Sequence, residues 1–310
     1  MKVVVTGGAG FIGSHIAEAL LSDGHEVHVL DNLATGVREN VPPGAIFHEA
    51  DIRTDCDSVF ADVQPEACFH LAAHANVPSS VERPAYDADV NVLGTIRVLE
   101  AARAHRATVT FSSSGGAIYG DVDRPASEDA ALRPLAPYGA AKLAAEEYLA
   151  TYNRLHETRH AVVRYANVYG PRQQAGLEGG VVAIFMTRLA AGATPTIFGD
   201  GEQTRDYVYV GDVAAATIRA HDSGGGIFNI GTGTETSVNA LYAAVSRTAG
   251  ADRPPVHAPG RLGEIRRSVL DVARAERELD WRPENTLAQG LAATWEWARE
   301  RVRAPSAESA

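Results

Sequence analysis

The stretch Lys2–Gly13, KVVVTGGAGFIG, restricts the fold of this chain more than any other. Lys2–Thr6 is a short, apolar, β-branched run of the kind that forms a strand buried on both faces. Gly7, Gly10 and Gly13 follow at the spacing of a strand-to-helix turn that cradles a diphosphate. Gly7 permits the tight turn, Gly10 lets backbone approach the pyrophosphate, and Gly13 lets helix and strand pack closely. The N–H groups that open the helix have no partner within it and face the anion. A second apolar strand, Val27–Leu30, ends at Asp31, whose carboxylate is placed to accept hydrogen bonds from an adenosine ribose. An acid there repels a 2′-phosphate, so the pattern implies NAD in preference to NADP. A glycine turn alone is a common structural device. Strand, three glycines, helix, second strand and terminal acid in series point to a dinucleotide site.

The chain has 310 residues, 45% of them hydrophobic and 22% charged, which suits one or two ordinary globular domains. Its net charge of −11, from 28 basic and 39 acidic residues, argues against nucleic acid or an anionic membrane as the main partner. An anionic small substrate needs only a local basic pocket. The two cysteines, Cys56 and Cys68, provide no disulfide framework and suit a reducing compartment. No secretory leader or apolar run of membrane length is evident, so a cytoplasmic location is expected, with no metal site.

Strands and helices then alternate. Asp51-Ile52 follows a third strand, Phe47–Ala50, where the acid either holds an adenine amine or caps a helix. After the strand Ala67–Leu71, the small run Ala72-Ala73 leaves room for cofactor backbone, and His74 reads as an acid–base residue or a packed loop histidine. Asp87–Arg103 has the apolar stripe of one long helix. The strand Thr108–Phe111 ends in Ser112-Ser113-Ser114-Gly115-Gly116, which places hydroxyls in the ligand crevice of an open parallel sheet. On the helix Pro137–His156, Tyr138 and Lys142 share a face. An ammonium beside a phenol stabilises phenolate, which tyrosine needs to act as a base near neutrality.

After Arg172 the rhythm changes: a Gly- and Gln-rich stretch, 173–180, leads into an apolar helix over Val181–Ala191. Arg205 and Arg261 are candidate phosphate ligands, since a guanidinium fork matches phosphate oxygens, and Phe198 either stacks on a base or packs in a core. The expected architecture is α/β: a Rossmann-type, doubly wound parallel sheet with a smaller C-terminal α/β substrate lobe. Residues 1–172, with 206–235 returning to them, form the NAD-binding domain. Residues 173–205 and 236–303 form the substrate lobe, and 304–310 a disordered tail. In such a site Tyr138 as phenolate removes an alcohol proton while hydride leaves, Ser114 shares the hydrogen bond, and Lys142 holds the phenolate and the nicotinamide ribose.

From end to end the chain resembles the extended short-chain dehydrogenase/reductases that act on nucleotide sugars, and within them the UDP-glucose 4-epimerases. The resemblance is carried by TGGAGFIG, Asp31-Asn32, Asp51-Ile52, His70-Leu71-Ala72-Ala73, Asn91 in DVNVLGT, Ser114, Tyr138 and Lys142. It continues through RYANVYGPR at 164–172, GDGEQTRDYVYVGDVA at 199–214 and RLGEIRRS at 261–268. It implies that Gly7, Gly10, Phe11, Ile12, Gly13, Asp31, Asn32, Asp51, Ile52, Leu71, Ala72, Ala73, Asn91, Tyr138 and Lys142 line the NAD site. It further implies that Asn167, Val181, Phe198, Arg205, Arg261 and Glu264 hold the nucleotide, with Glu264 on the uridine ribose. Catalysis would fall to Tyr138, Lys142 and Ser114 in a homodimer built on helices 87–103 and 139–156.

Two departures from the family pattern bear on the site. The loop from Ser113 to Tyr119 is one residue longer than the common form, which makes Ser114 the expected hydroxyl and Ser113 its reserve. Ser268 stands where some relatives place a large aromatic beside the sugar, so N-acetylated hexoses have room. A 4,6-dehydratase would need an acid pair where this chain has Gly115-Gly116-Ala117. A UDP-glucuronate epimerase or decarboxylase using Arg172, an epimerase of a dTDP-sugar, and a non-catalytic NAD-binding protein stay open as alternatives.

Overall fold

The computed structural model describes residues 1–176, 180–260 and 265–303. Its strands, in chain order, begin with β1 (Lys2–Thr6), β2 (Glu26–Asp31), β3 (Ile46–Glu49), β4 (Ala67–His70), β5 (Thr108–Ser114) and β6 (Ala161–Tyr165). There follow β7 (Asn167–Tyr169), β8 (Thr196–Phe198), β9 (Thr204–Tyr209), β10 (Gly226–Ile230), β11 (Glu235–Ser237), β12 (Val256–Ala258) and β13 (Arg267–Ser268). Seven of them make one sheet in the order β10-β6-β5-β4-β1-β2-β3, parallel throughout. The chain winds outward in both directions from β1 and β4, so the loops after these two strands diverge and leave a crevice at their carboxyl ends.

The continuous apolar runs of the strands are explained by burial on two sides. Val3 and Val5 join Val29 and Phe69 in a core with Ile16 and Leu20, which stand on the helix Phe11–Ser22. Val4, pointing the other way, joins Leu30, Cys68, Val109 and Phe111 beneath the helices Cys56–Val63, Gly94–His105 and Pro137–His156. A second, smaller body has β11, β9 and β13 in one sheet, with β7 paired to β9, and a separate β12–β8 pair. Its core gathers Phe185 and Met186, Leu241 and Val245, and Leu291 from the helices Val181–Ala190, Val238–Ala249 and Leu287–Arg303.

Several boundaries differ from the sequence expectation for local reasons. The first helix starts at Phe11, because Gly10 in extended conformation caps it. The expected helix 87–103 is interrupted by a π-turn at Asp89–Leu93, with α-helix on either side. There Asn91 turns its side chain onto the His74 backbone, and Gly94 lies so close to Ile52 that a Cβ would stand 2.7 Å from its Cδ1. Residues 204–209 do not rejoin the large sheet; the helix Val210–Asp222 and β10 do. The expectations for Arg261, Glu264 and the tail 304–310 lie outside the described residues.

The glycine turn is packed to its limit. Gly7 has φ +70°, and a Cβ on Gly13 would stand 2.2 Å from the Gly7 carbonyl oxygen, with backbone rather than a movable side chain in the way. Gly13→Ala should therefore cost stability at the upper end of the usual overpacking range, about 3 kcal/mol, as measured by urea unfolding. At Gly10 the nearest atom to a Cβ is 3.1 Å away, and Gly10→Ala should cost clearly less. Equal losses at the two positions would contradict this account of the turn.

Candidate active site

The crevice at the strand ends is a cleft of about 680 Å³ that runs from the glycine turn into the smaller body. Gly7, Gly10, Phe11, Ile12 and Gly13 line one wall, with Asp31, Asn32, Asp51 and Ile52 at one end and Leu71, Ala72 and Ala73 alongside. Ser114, Tyr138 and Lys142 border the same space, as do Asn167, Val181, Phe198 and Arg205. Residues far apart in sequence are thus brought to one cavity by the sheet order.

The dinucleotide end has the features of a built site. The helix Phe11–Ser22 opens at Gly10 with no side-chain cap, so its first N–H groups are available to an anion. Asp31 is buried; its Oδ2 accepts the Ala9 N–H (3.0 Å) and its Oδ1 the Leu33 N–H (2.8 Å). Burial pushes this carboxyl above its usual range, and the two amides oppose the rise. A carboxylate has about four acceptor positions, so each oxygen of Asp31 keeps one for a ribose hydroxyl. The turn itself leaves no room for side chains, since a Cβ on Gly7 would stand 2.6 Å from the Ala72 nitrogen. These residues fit NAD.

Asp51 differs. Its Oδ1 accepts from the backbone N–H (2.9 Å) and Nε (3.0 Å) of Arg53, and its Oδ2 from Arg53 Nη2 (2.7 Å) and Asn32 Nδ2 (2.9 Å). Both oxygens are filled by the protein, and the Arg53 guanidinium holds the carboxyl well below the usual carboxylate range. An adenine amine at Asp51 would have to share or displace one of these bonds. Asp51 does not cap the helix Cys56–Val63, because Asp55 occupies that position and takes the Asp51 N–H at 2.8 Å.

Behind the cleft lies a set of side chains that hold the loop after β4. Asn91 receives the His74 N–H on its Oδ1 (2.8 Å) and donates to the His74 carbonyl and to Asp87 Oδ1 (both 3.0 Å). Asn91 is buried, does not line the cleft, and supports the loop after β4. His74 pairs with Asp87 and Ser79, which makes it a packed loop histidine. His70 is fully buried between Thr6 and Thr95. Thr95 gives its hydroxyl proton to the Asn91 carbonyl, so His70 Nε2 carries the hydrogen and Nδ1 accepts from Thr6. Burial lowers this histidine to about 3, and it stays neutral.

At the other end of the cleft, the helix Pro137–His156 presents Tyr138, Lys142 and Glu146 at successive four-residue steps. Lys142 is buried; its Nζ donates to the Ser112 carbonyl at 2.8 Å and stands 5.9 Å from the centre of the Tyr138 ring. Burial lowers its pKa to about 8, with Asp87 and Glu146 opposing the shift. Glu146 forms a buried ion pair with Arg164 (2.6 Å) and accepts the Ser113 hydroxyl. Ser113 is therefore committed to this pair, and Ser114, the next residue of β5, borders the cleft.

In the smaller body, Val181 opens its helix from an uncapped Gly180, and Arg205 on β9 donates to the Thr204 carbonyl at 2.8 Å. Asn167 lines the cleft, and its Oδ1 is buried without a hydrogen-bond partner among the described residues. Ser268 pairs with Arg205 in the β13–β9 ladder, is buried there and is not on the cleft wall. The expected room for an N-acetyl group at Ser268 thus has no counterpart in the cavity. Arg172 has φ +71° and is tied to Glu18 (2.6 Å) and Ser14 on the first helix, so it is not free to receive a glucuronate carboxylate. Sequence reasoning missed Arg53, Tyr86 and Ser79 on the cleft wall. Arg53 had a signal, an arginine two residues after a strand-exit acid, whereas Ser79 and Tyr86 stand on the short helices Val77–Glu82 and Pro84–Ala88, for which the sequence carries no site signal. Among the described residues no group of side chains could hold a metal ion, and no helix is long and apolar enough to cross a membrane.

Residues 3–231 match the NAD dependent epimerase/dehydratase family. A UDP-glucose 4-epimerase of Mycolicibacterium smegmatis is 47% identical over 97% of this chain and 99% of its own length. The solved UDP-glucose 4-epimerase of Thermotoga maritima with UDP-glucose has a TM-score of 0.94 at 44% identity, covering 97% of this chain and 100% of that one. The UDP-glucose 4-epimerase of Thermus thermophilus in complex with NAD has a TM-score of 0.92 at 44% identity, covering 96% of this chain and 99% of that one. With its glycine turn, the acid after β2 and the Tyr138–Lys142 pair gathered on one cleft, the chain belongs to the NAD dependent epimerase/dehydratase family.

Proposed function

We propose that this protein inverts C4 of a nucleotide hexose, interconverting UDP-glucose and UDP-galactose through a transient 4-keto sugar, with NAD retained in the cleft. The observation that carries this reading is the meeting of Tyr138, Lys142 and Ser114 in the cavity that also holds the glycine turn and Asp31. Similarity to two UDP-glucose 4-epimerases, one solved with UDP-glucose and one with NAD, supports the same substrate and cofactor.

Bound NAD would supply a hydride acceptor that returns the hydride in the second half of the reaction. Tyr138, as phenolate, takes the proton of the sugar 4-hydroxyl while C4 is oxidised, and gives it back when the alcohol is remade. The Ser114 hydroxyl shares that hydrogen bond. The Lys142 ammonium, fixed on the Ser112 carbonyl, favours the phenolate by its charge. Arg205 and the opening N–H groups of the helix Val181–Ala190 take the diphosphate, with Asn167 on the same cleft wall. Phe198 lines the nucleotide end, for which the family resemblance also nominates Arg261 and Glu264. Gripped there, the hexose can turn about its link to the diphosphate and present its other face, which is what inversion requires.

The division of labour follows the two bodies: the large sheet with its flanking helices holds the cofactor, and the smaller body holds the nucleotide sugar. Exposed Val81, Leu93, Tyr148 and Leu155 lie on or beside the helices expected to pair in a homodimer. Cys56 and Cys68 are unpaired and buried, in keeping with a reducing, cytoplasmic setting.

Tyr138→Phe should lower turnover of UDP-galactose by about 10²–10⁴-fold while NAD remains bound, as judged by cofactor released on denaturation. Near-normal turnover would refute its role as base. The pKa of Lys142 lies below the ordinary 10.5, so the ammonium is lost as pH rises through about 8 and the phenolate loses its partner. The pH profile of kcat should accordingly fall above about 8, and Lys142→Met should lack that limb. A wild-type profile that stays flat far into the alkaline range would contradict the assignment.

A further inference from the structure

Arg53 lies on the cleft wall beside Asp31 and Asp51, at the end assigned to the adenosine. Three of its donors are fixed within its own loop, the backbone N–H, Nε and Nη2 all going to Asp51. The fourth crosses to a different element: Nη1 donates to Asp89 Oδ2 at 3.0 Å, on the first residue of the π-turn Asp89–Leu93. Val90, the next residue of that turn, and Ile52 both line the cleft. The guanidinium also stands 5.7 Å from the Tyr86 ring, which Arg83 approaches on its own account at 4.3 Å. One side chain therefore joins the loop after β3 to the π-turn Asp89–Leu93, two segments that both line the cleft.

The two halves of this link differ in strength. The Asp51 half is a fork held by two side-chain bonds and one backbone bond, and among the described residues the Asp51 carboxylate accepts only from Arg53 and Asn32. The Asp89 half is a single bond, with the Arg53 side chain 32% and that of Asp89 45% exposed. A solvent-facing pair of that kind is weak and screened by salt, so it can part while the fork stays made.

On the reading of the cleft as an NAD site, we propose that Arg53 is its clasp: anchored on Asp51 and latched to Asp89, it closes the adenosine end and slows escape of the cofactor. Such a device suits the proposed reaction, in which NAD must outlast many turnovers, and it gives Asp51 a task that its filled oxygens allow. It acts on retention and not on the chemistry, so it is a positioning residue.

The test is the rate of NAD release from holoprotein, followed by trapping the freed cofactor with excess alcohol dehydrogenase and ethanol. Asp89→Asn, which leaves the Arg53–Asp51 fork intact, should release NAD about 5-fold faster than wild type, the effect of losing an ion pair worth about 1 kcal/mol. Arg53→Ala should release it at least as fast. Raising salt to about 1 M, where the Debye length is about 3 Å, should speed release from wild type but not from Asp89→Asn. Turnover at saturating NAD should be unchanged in Asp89→Asn. Release from Asp89→Asn at the wild-type rate, with salt acting equally on both, would overturn the clasp, whether or not Arg53→Ala folds. Wild-type protein that takes up no NAD would overturn the cofactor reading itself, which is a separate result.

Discussion

The arrangement of the site depends on the grip that one helix takes on the end of one strand. Pro137–His156 lays Lys142 on the Ser112 carbonyl and Glu146 on the Ser113 hydroxyl, so β5 is held at two consecutive residues. Glu146 is itself locked by Arg164, whose Nη1 donates to Tyr119 Oη (2.8 Å) and to the Glu128 carbonyl (3.0 Å). Tyr119 Oη in turn donates to Asn229 on β10. A buried ion pair is rarely a net source of stability, because removing two charges from water costs about what their attraction returns. Here its consequence is geometric. Ser112, Ser113 and Ser114 all line the cleft, and with Ser113 bonded to Glu146 the proposed role falls to Ser114, while Tyr138 borders the same space from the amino-terminal end of the helix.

The same helix sets the electrostatics. Lys142 is a buried ammonium on the cleft wall, offset by one carbonyl bond, the Phe111 ring at 4.7 Å and the nearby charges of Asp87 and Glu146. The lowered pKa that results places its titration near the working range, where a charge that favours phenolate is present on the acid side and lost on the alkaline side. At the far end the logic is reversed. Asp31 keeps two acceptor positions open for a ligand, whereas Asp51 spends all of its own on Arg53 and Asn32. Two acids that look alike at the ends of adjacent strands therefore do different work.

The large sheet was legible because its signals are local: β-branched runs, a glycine turn with no room for side chains, and an acid at a strand exit. Tyr138 and Lys142 were legible because helical spacing fixes a shared face. What could not be read was decided by partners distant in sequence. The π-turn at Asp89–Leu93 exists where Asn91 bonds the backbone of His74 on a different element, and a periodic apolar stripe carries no trace of that bond. Ser113 and Ser114 are indistinguishable until Glu146 claims one. Ser268 has the right offset from its motif, yet the ladder with β9 buries it away from the cavity. Short strands such as β7 and β13 form by pairing with β9, which no window of sequence reveals.

The central claim is that the hydrogen leaving C4 is the one that returns to it within the closed cleft. Incubation with UDP-galactose deuterated at C4, without added NAD, tests this most directly. The account predicts UDP-glucose with the deuterium still on C4 and none in the solvent. Product that has lost the label, or no product from protein that carries NAD, would contradict it.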